Sequence, residues 1–257
     1  MSRARKIYIA GNWKMNLDRL KALDLIKTLK GRVGDGTDRE IAVFVPFVYL
    51  ADVSAVAQGS PLGVGAQNVH WEQNGAFTAE ISAPMLRDVG ADRVIIGHSE
   101  RRHTFKEEDV WMGRKLRTAL DHDLLPILCV GELAEERRGG RTEKALRRQL
   151  ETGFDWVKKT ELHRVTVAYE PVWAIGTGDV ATPKQIEATH KMIRSWLAEK
   201  FGAEPAEHVR IQYGGSVKPD NAREIMAIEG VDGLLVGGAS IKAETFLPIM
   251  EFDRQAS

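Results

Sequence analysis

Eight short runs rich in apolar and β-branched residues recur along this chain: KIYIAGN, EIAVFVP, LGVGAQN, RVIIGHS, LLPILCVG, RVTVAYE, VRIQYGG and GLLVGG. They come roughly once every 32 residues, room for a strand, a helix and their connections. Most are apolar at successive positions and do not alternate. That pattern suits strands of a parallel sheet buried on both faces. Helix-like segments separate them. Leu17, Leu20, Leu23 and Ile26 recur at helical spacing and predict one apolar helix face. Thr182, Pro183 and Gln185 supply an N-cap, a proline at the first helical position and a capping-box partner. Ser240 is a candidate cap for the last helix. No Pro/Gly/Ser-rich linker or low-complexity segment divides the chain. A βα unit repeated eight times in 257 residues predicts one domain, residues 1–257, folded as a single closed (β/α)8 barrel of class α/β. The rival is an open doubly wound sheet. It would carry G-x-G-x-x-G after the first strand, and none stands there.

Composition narrows the function classes. Lys plus Arg equals Asp plus Glu at 36 each, so no basic excess points to nucleic acid. The stretch ERRGGRTEKALRRQL, 136–150, mixes its cations with acids and reads as a solvated helix face. One cysteine, Cys129, leaves no disulfide framework and no multi-Cys metal site, fits a reducing compartment, and reads as small buried packing. MSRARK lacks the apolar stretch of a secretory signal. The longest apolar run, IAVFVPFVYLA, is too short to span a bilayer and holds Pro46. The expectation is a soluble, cytoplasmic protein that binds neither membrane nor nucleic acid.

In a (β/α)8 barrel the chemistry sits at the C-terminal ends of the strands. The unusual residues of this chain fall there repeatedly. Strand one ends in GNWKMN, with Asn12 and Lys14; strand three in AQN, with Gln67 and Asn68; strand four in GHSERR, with His98, Ser99 and Glu100. Strand six ends in Glu170. Strand seven ends in YGGS, with Ser216, and strand eight in LVGGAS, with Gly237 and Gly238.

The two glycine pairs permit close backbone approach and φ > 0, so successive N–H groups can form a nest for an anion. GGAS also reads as the opening of a helix, whose N-terminus favours phosphate. Each pair could instead be a tight turn. Together, after the last two strands, they point to a phosphate site. Lys14 in its short loop can hold an anionic substrate and stabilise developing negative charge. His98 opens a helix at SER, which disfavours the imidazolium and leaves a neutral ring able to donate to a carbonyl oxygen. Glu170 has apolar and aromatic neighbours, and loss of water there raises the pKa of a carboxylate. No cluster has metal-ligand spacing and no cofactor fingerprint is present. The expected chemistry is metal-free, cofactor-free proton transfer on a small anionic substrate.

GNWKMN, GAQN, GHSERR, YEPVWAIGTG, YGGSV and LVGGAS stand in order along nearly the whole chain. Together they resemble the triosephosphate isomerase family, whose fold is the TIM barrel. The resemblance implies interconversion of D-glyceraldehyde 3-phosphate and dihydroxyacetone phosphate through an enediol(ate), a step of glycolysis and gluconeogenesis. Carried over by motif, Glu170 resembles the base and His98 the neutral electrophile. Lys14 and Asn12 resemble the electrostatic partners of substrate and oxyanion, and Glu100 a supporting acid. Gly176, Ser216, Gly237 and Gly238 resemble the phosphate cradle, with Leu235 nearby. PVWAIGTG resembles a lid that closes over the site and excludes water. The third connection, NVHWEQNGAFTAEIS, is long, polar and non-periodic. In the family it docks into a second subunit, so the resemblance implies a homodimer with Thr78 approaching the other active site. A catalytically silent phosphate-binding scaffold, or a lyase that eliminates phosphate from the same intermediate, would share much of this pattern. The presence of Lys14, His98 and Glu170 argues against the first, and a complete apolar lid against the second.

Overall fold

A computed structural model of the protein describes residues 5–175 and 180–254. All eight runs form strands: β1 Ile7–Asn12, β2 Arg39–Val45, β3 Gly63–Ala66, β4 Arg93–Ile96, β5 Leu125–Val130, β6 Thr166–Tyr169, β7 Arg210–Tyr213 and β8 Gly233–Val236. Each pairs in parallel with the next, and β8 pairs with β1, so the sheet closes in sequence order. The seam is tight. A Cβ on Gly233 would lie 1.9 Å from the Tyr8 carbonyl oxygen, so only glycine lets β8 approach β1 this closely.

Two apolar layers result. Ile9, Val43, Val64, Val94, Leu128, Val167, Ile211 and Leu234 face outward into the core shared with the surrounding helices. Tyr8, Ala10, Phe44, Ile95, Ile127, Cys129, Ala168 and Leu235 fill the barrel interior. The runs do not alternate in polarity because both faces are covered. Cys129 is fully buried, as its sequence context predicts, and burial pushes its thiol pKa up. Among the described residues no helix is long and apolar enough to cross a membrane.

Three local expectations meet different outcomes. Thr182 caps the helix Pro183–Phe201 as predicted: its Oγ1 accepts from Gln185 N–H, and Gln185 Oε1 accepts from Thr182 N–H at 2.9 Å. The Leu17–Leu20–Leu23–Ile26 stripe is not the buried face of the first helix. Asp18 accepts from Lys21 N–H and starts that helix at Arg19. Leu17 precedes it with φ 72°, and Leu20 is exposed. The buried stripe is Ala22, Leu25, Ile26 and Leu29. Ser240 does not cap the last helix. It ends a three-residue 3-10 turn, Gly238–Ser240, and its hydroxyl donates to the Gly237 carbonyl at 2.7 Å. The helix itself, Ala243–Met250, has Lys242 at its cap.

The stretch 136–150 supplies surface cations, as expected. Arg147 pairs with Glu143 and Glu199, and Arg148 with Asp109. Its helix Thr142–Gly153 also turns Ala145, Leu146, Gln149 and Leu150 inward. The third connection has no regular element between the isolated bridge residues His70 and Ser82, and residues 72–80 are exposed.

Behind β6, His190 is fully buried edge-on to the Tyr169 ring, 6.0 Å between centroids. Its Nδ1 lies 3.0 Å from the Gly230 carbonyl oxygen and donates to it. Burial pushes its pKa down to about 4, whereas an unfolded histidine titrates near about 6.5. The neutral ring therefore contributes stability that is complete above about pH 6.5 and is lost as pH falls through about 4. His190→Gln keeps a donor for Gly230 without the titration. Between about pH 7.5 and pH 4.5, urea unfolding should show wild type losing ~2–3 kcal/mol relative to this variant. A difference that does not change with pH would refute the assignment.

Candidate active site

The C-terminal mouth of the barrel opens into a cavity of about 640 Å³. Asn12, Lys14, His98, Glu170, Ile175, Ser216, Leu235, Gly237 and Gly238 all line it. Glu100 stands at the edge, half-exposed and joined to Lys14. Closure of the sheet thus collects residues more than 200 positions apart in sequence around one space. Gly176 lies outside the described residues, as does the end of the predicted lid.

Lys14 is held from two sides. Its N–H donates to Asn12 Oδ1 at 3.0 Å, and its carbonyl accepts from Gln67 Nε2 at 2.9 Å. These bonds keep a non-glycine residue at φ 51°, an unfavourable region that persists where surroundings over-determine it. Lys14 Nζ lies 2.7 Å from Glu100 Oε1. Gln67 also donates to the Phe44 carbonyl at 3.1 Å, so strands one, two and three jointly fix the lysine.

His98 caps the helix Ser99–His103, and its Nδ1 accepts from Glu100 N–H at 3.2 Å. A neutral ring with Nδ1 accepting carries its proton on Nε2. That nitrogen sits 3.0 Å from Glu170 Oε1, while Glu170 Oε2 accepts from Ser99 N–H at 2.8 Å. Gly97, with φ 71°, turns the chain from β4 into this helix. Arg102 ties the turn to the next strand, donating to the Gly97 carbonyl at 2.8 Å and the Cys129 carbonyl at 3.0 Å.

The electrostatics of the pair run opposite to the sequence expectation. Burial, the largest single influence, pushes the Glu170 carboxyl up. His98, the Ser99 N–H and Lys14 outweigh it and hold the carboxyl below the usual carboxylate range. Burial likewise pushes His98 toward neutrality, and the Glu170 charge outweighs it, raising the imidazole pKa above its ordinary value. Dehydration alone makes Glu170 more basic and His98 less so. Their mutual contact reverses both signs in this arrangement.

The glycine rim works by close approach and not by left-handed backbone. None of Gly214, Gly215, Gly237 and Gly238 has positive φ. A Cβ on Gly215 would fall 2.2 Å from the Tyr213 hydroxyl, and one on Gly214 would press on Glu170 Cγ at 3.0 Å. At Gly237 a Cβ would touch Lys14 Cε at 3.4 Å, while Gly238 faces open space. GGAS opens a single 3-10 turn, so its backbone N–H groups, without a long helix dipole, are what it offers an anion.

Two contributors were absent from the sequence reading. Lys218 brings a further cation to the rim. Glu132, fully buried just past β5, accepts from Trp173 Nε1 at 2.9 Å, Tyr169 hydroxyl at 3.1 Å and Arg137 at 2.9 Å. It anchors the first part of the predicted lid, where Val172–Ala174 form a 3-10 turn after Pro171. A carboxylate after the fifth strand, in CVGEL, was a signal of the same kind as Glu170. No group of three or more His, Cys, Asp or Glu able to hold a metal ion occurs among the described residues.

A family model described as triosephosphate isomerase matches residues 7–253. The triosephosphate isomerase of Chloroflexus aurantiacus is 51% identical over 244 residues, covering 95% of this chain and 98% of its own. That of Alkaliphilus oremlandii is 48% identical over 248 residues, covering 96% and 100%. That of Treponema denticola is 47% identical over 248 residues, covering 96% and 99%.

The contact between Glu170 and His98 has a direct readout. Glu170→Gln removes the main charge that lifts the imidazole and leaves burial and Lys14 to lower it against the weaker pull of Glu100. NMR titration of the His98 ring should show its pKa fall from above the ordinary histidine value to below it. An unchanged titration would mean that the two side chains are not coupled.

Proposed function

This chain belongs to the triosephosphate isomerase family, and from that premise we propose how its residues carry the isomerisation of D-glyceraldehyde 3-phosphate and dihydroxyacetone phosphate. One observation carries the assignment of roles. A buried carboxylate, an imidazole with its N–H turned inward, and a lysine fixed by three strands converge on a cavity whose far rim is backbone.

The substrate phosphate takes the N–H groups around Ser216, Gly237 and Gly238, with Leu235 behind them and Gly176 of the lid as a further donor. Lys14 and Asn12 meet the oxygen on which negative charge develops. As the substrate enters, Glu170 exchanges Ser99 N–H and His98 for the carbon-bound proton. Away from those partners, burial dominates and the carboxylate becomes a stronger base. It takes the proton from one carbon while the C–H electron pair forms the carbon–carbon double bond of an enediolate. His98 donates its Nε2–H bond to the carbonyl oxygen and moves protons between the two oxygens. The glutamic acid then returns a proton to the adjacent carbon. Glu100 keeps Lys14 oriented. Closure of the apolar segment around Trp173 and Ile175 excludes water and shields the enediolate. The chemistry needs no metal and no cofactor, since the side chains supply both proton transfer and charge stabilisation. Nothing favours the silent scaffold, because every group such a protein could dispense with is in reach of the cavity.

The same reading takes the chain as one domain that acts as a homodimer in the cytoplasm. The exposed loop around Thr78 carries Phe77, 43% exposed, and Met15, Val48 and Met85 are also exposed. Apolar side chains left in water in this way suit a face that a second copy covers. Thr78 would then approach the partner's site. The sum of charge is zero, which supports neither nucleic acid nor membrane as a partner.

Glu170→Gln should lower turnover of D-glyceraldehyde 3-phosphate, in a coupled assay on metal-stripped protein, by at least about 100-fold. Competitive inhibition by inorganic phosphate should persist. An active variant would remove Glu170 as the base, and a folded wild type that binds phosphate without turnover would favour the scaffold. Thr78→Arg inserts a charge into the proposed interface. Sedimentation should show it shifted toward monomer, and an unshifted dimer would place the interface elsewhere.

A further inference from the structure

Gln149 lies outside the cavity, on the inward face of the helix Thr142–Gly153, and is 1% exposed. Its amide does one thing: it reads both backbone groups of Gly131. Gly131 N–H donates to Gln149 Oε1 at 2.8 Å, and Gln149 Nε2 donates to the Gly131 carbonyl at 3.0 Å. Gly131 follows β5, beyond the last β5–β6 pair, Val130 with Tyr169. The side chain thus stands in for a missing strand where the ladder ends.

What Gly131 touches gives this clamp its meaning. A Cβ there would lie 1.7 Å from the carbonyl oxygen of Glu170. The peptide after Glu170 therefore packs directly on the Gly131 backbone, while Glu170 N–H donates to the Val130 carbonyl at 2.8 Å. The next residue after Gly131 is Glu132, which anchors Trp173 and Tyr169. One peptide segment supports the backbone of the proposed base and begins the anchor of the lid.

The helix that carries Gln149 is itself closely seated. A Cβ on Gly153 would strike Leu128 Cδ2 at 2.6 Å, and one on Gly113 would strike the Thr152 carbonyl oxygen at 2.6 Å. These close approaches fix the helix against β5 and against the neighbouring helix Asp109–Asp121. The clamp starts from a rigid platform.

We propose that Gln149 is a positioning residue for Glu170: its paired hydrogen bonds to Gly131 set the backbone on which the base rests. The proposal rests on the reading of Glu170 as the base. A base displaced by even a fraction of an ångström delivers its oxygen off-line to the substrate proton, and misplacement of about 1 Å can cost about 100-fold in rate. The effect belongs chiefly in kcat, because Ser216, Gly237 and Gly238 of the phosphate rim follow strands seven and eight, away from Gly131.

The test compares Gln149→Met, Gln149→Glu and Glu170→Gln with wild type. Gln149→Met keeps the length of the side chain and removes both bonds. It should lower kcat about 10- to 100-fold, with KM and the inhibition constant of inorganic phosphate changed less than about twofold. Gln149→Glu supplies a rescue. When protonated, the new carboxyl donates through O–H to the Gly131 carbonyl and accepts from its N–H, reproducing the amide. Ionised, it repels that carbonyl. The kcat of Gln149→Glu relative to wild type should be high near pH 6 and fall toward pH 9.5, while the Gln149→Met ratio stays flat. A purely packing role would lower thermal stability without this pH-dependent ratio. If Gln149→Met keeps kcat within about threefold per folded protomer, the proposal fails; if it does not fold, a pH-independent ratio for Gln149→Glu overturns it. An active Glu170→Gln would sink the base reading itself, whereas a silent Glu170→Gln beside a normal Gln149→Met sinks this inference alone.

Discussion

The pairing of β8 with β1 is the contact on which the rest of the molecule depends. Without it the chain would be an open sheet with Lys14 at one edge and Gly237 at the other. With it, Gly237 faces the Lys14 side chain so closely that a Cβ there would touch Lys14 Cε, and an anion held by one can be neutralised by the other. The seam needs glycine at position 233, because the Tyr8 carbonyl occupies the space of any Cβ. It also needs both faces covered, since a closed parallel sheet exposes no polar edge and turns its side chains into one of two layers. The near-continuous apolar runs, the eightfold repeat and the convergence of polar residues at one mouth all follow from that closure.

Closure also creates the electrostatic problem that the site then uses. Three carboxylates stand at strand ends: Glu132 and Glu170 fully withdrawn from water, and Glu100 half in it. A buried carboxylate without partners would take up a proton. Glu132 stays paired through three donors and becomes an anchor. Glu170 has one backbone donor and one imidazole against it, the partners that the proposed mechanism has the substrate displace. On the proposed roles, two chemically identical groups, one strand apart, would serve as fixed support and as movable base because of the number of their donors.

Much of this was legible in the sequence. Strand positions follow from runs that had to be buried twice, and the Thr182 cap from side-chain chemistry local to four residues. The polar residues at the strand ends stand out because their neighbours are apolar. What failed were features decided by a competing local cap or turn, or by geometry across the chain. Leu17 and Leu20 have helical spacing, yet the Asp18 cap starts the helix after the first and points the second into water. GGAS has the composition of a helix start, but its glycines make one 3-10 turn. The sign of the Glu170 shift depends on His98, 72 positions away, coming within 3.0 Å. Gln149 sits in a basic stretch whose composition reads as surface, and only the helix register turns its amide inward.

If Glu170 and His98 have the proposed roles, their resting contact shapes the energetics of the reaction. Each partner compensates the burial of the other, so neither carries its full desolvation cost while they touch. Bringing a substrate between them gives up that compensation, and the loss has to be offset by contacts that the substrate itself brings. The rim of backbone N–H groups is suited to this, because it would meet a phosphate that takes no part in the proton transfer. On the proposed roles, binding energy from the unreactive end of the molecule would thereby be converted into a more basic carboxylate and a less basic imidazole at the reactive end. A site that left Glu170 unpaired from the outset would hold it protonated and unable to act as a base. One that paired it permanently, as Glu132 is paired, would hold it ionised but out of reach. The arrangement found here lies between these, with the proposed base held in its charged form by His98 and the Ser99 N–H.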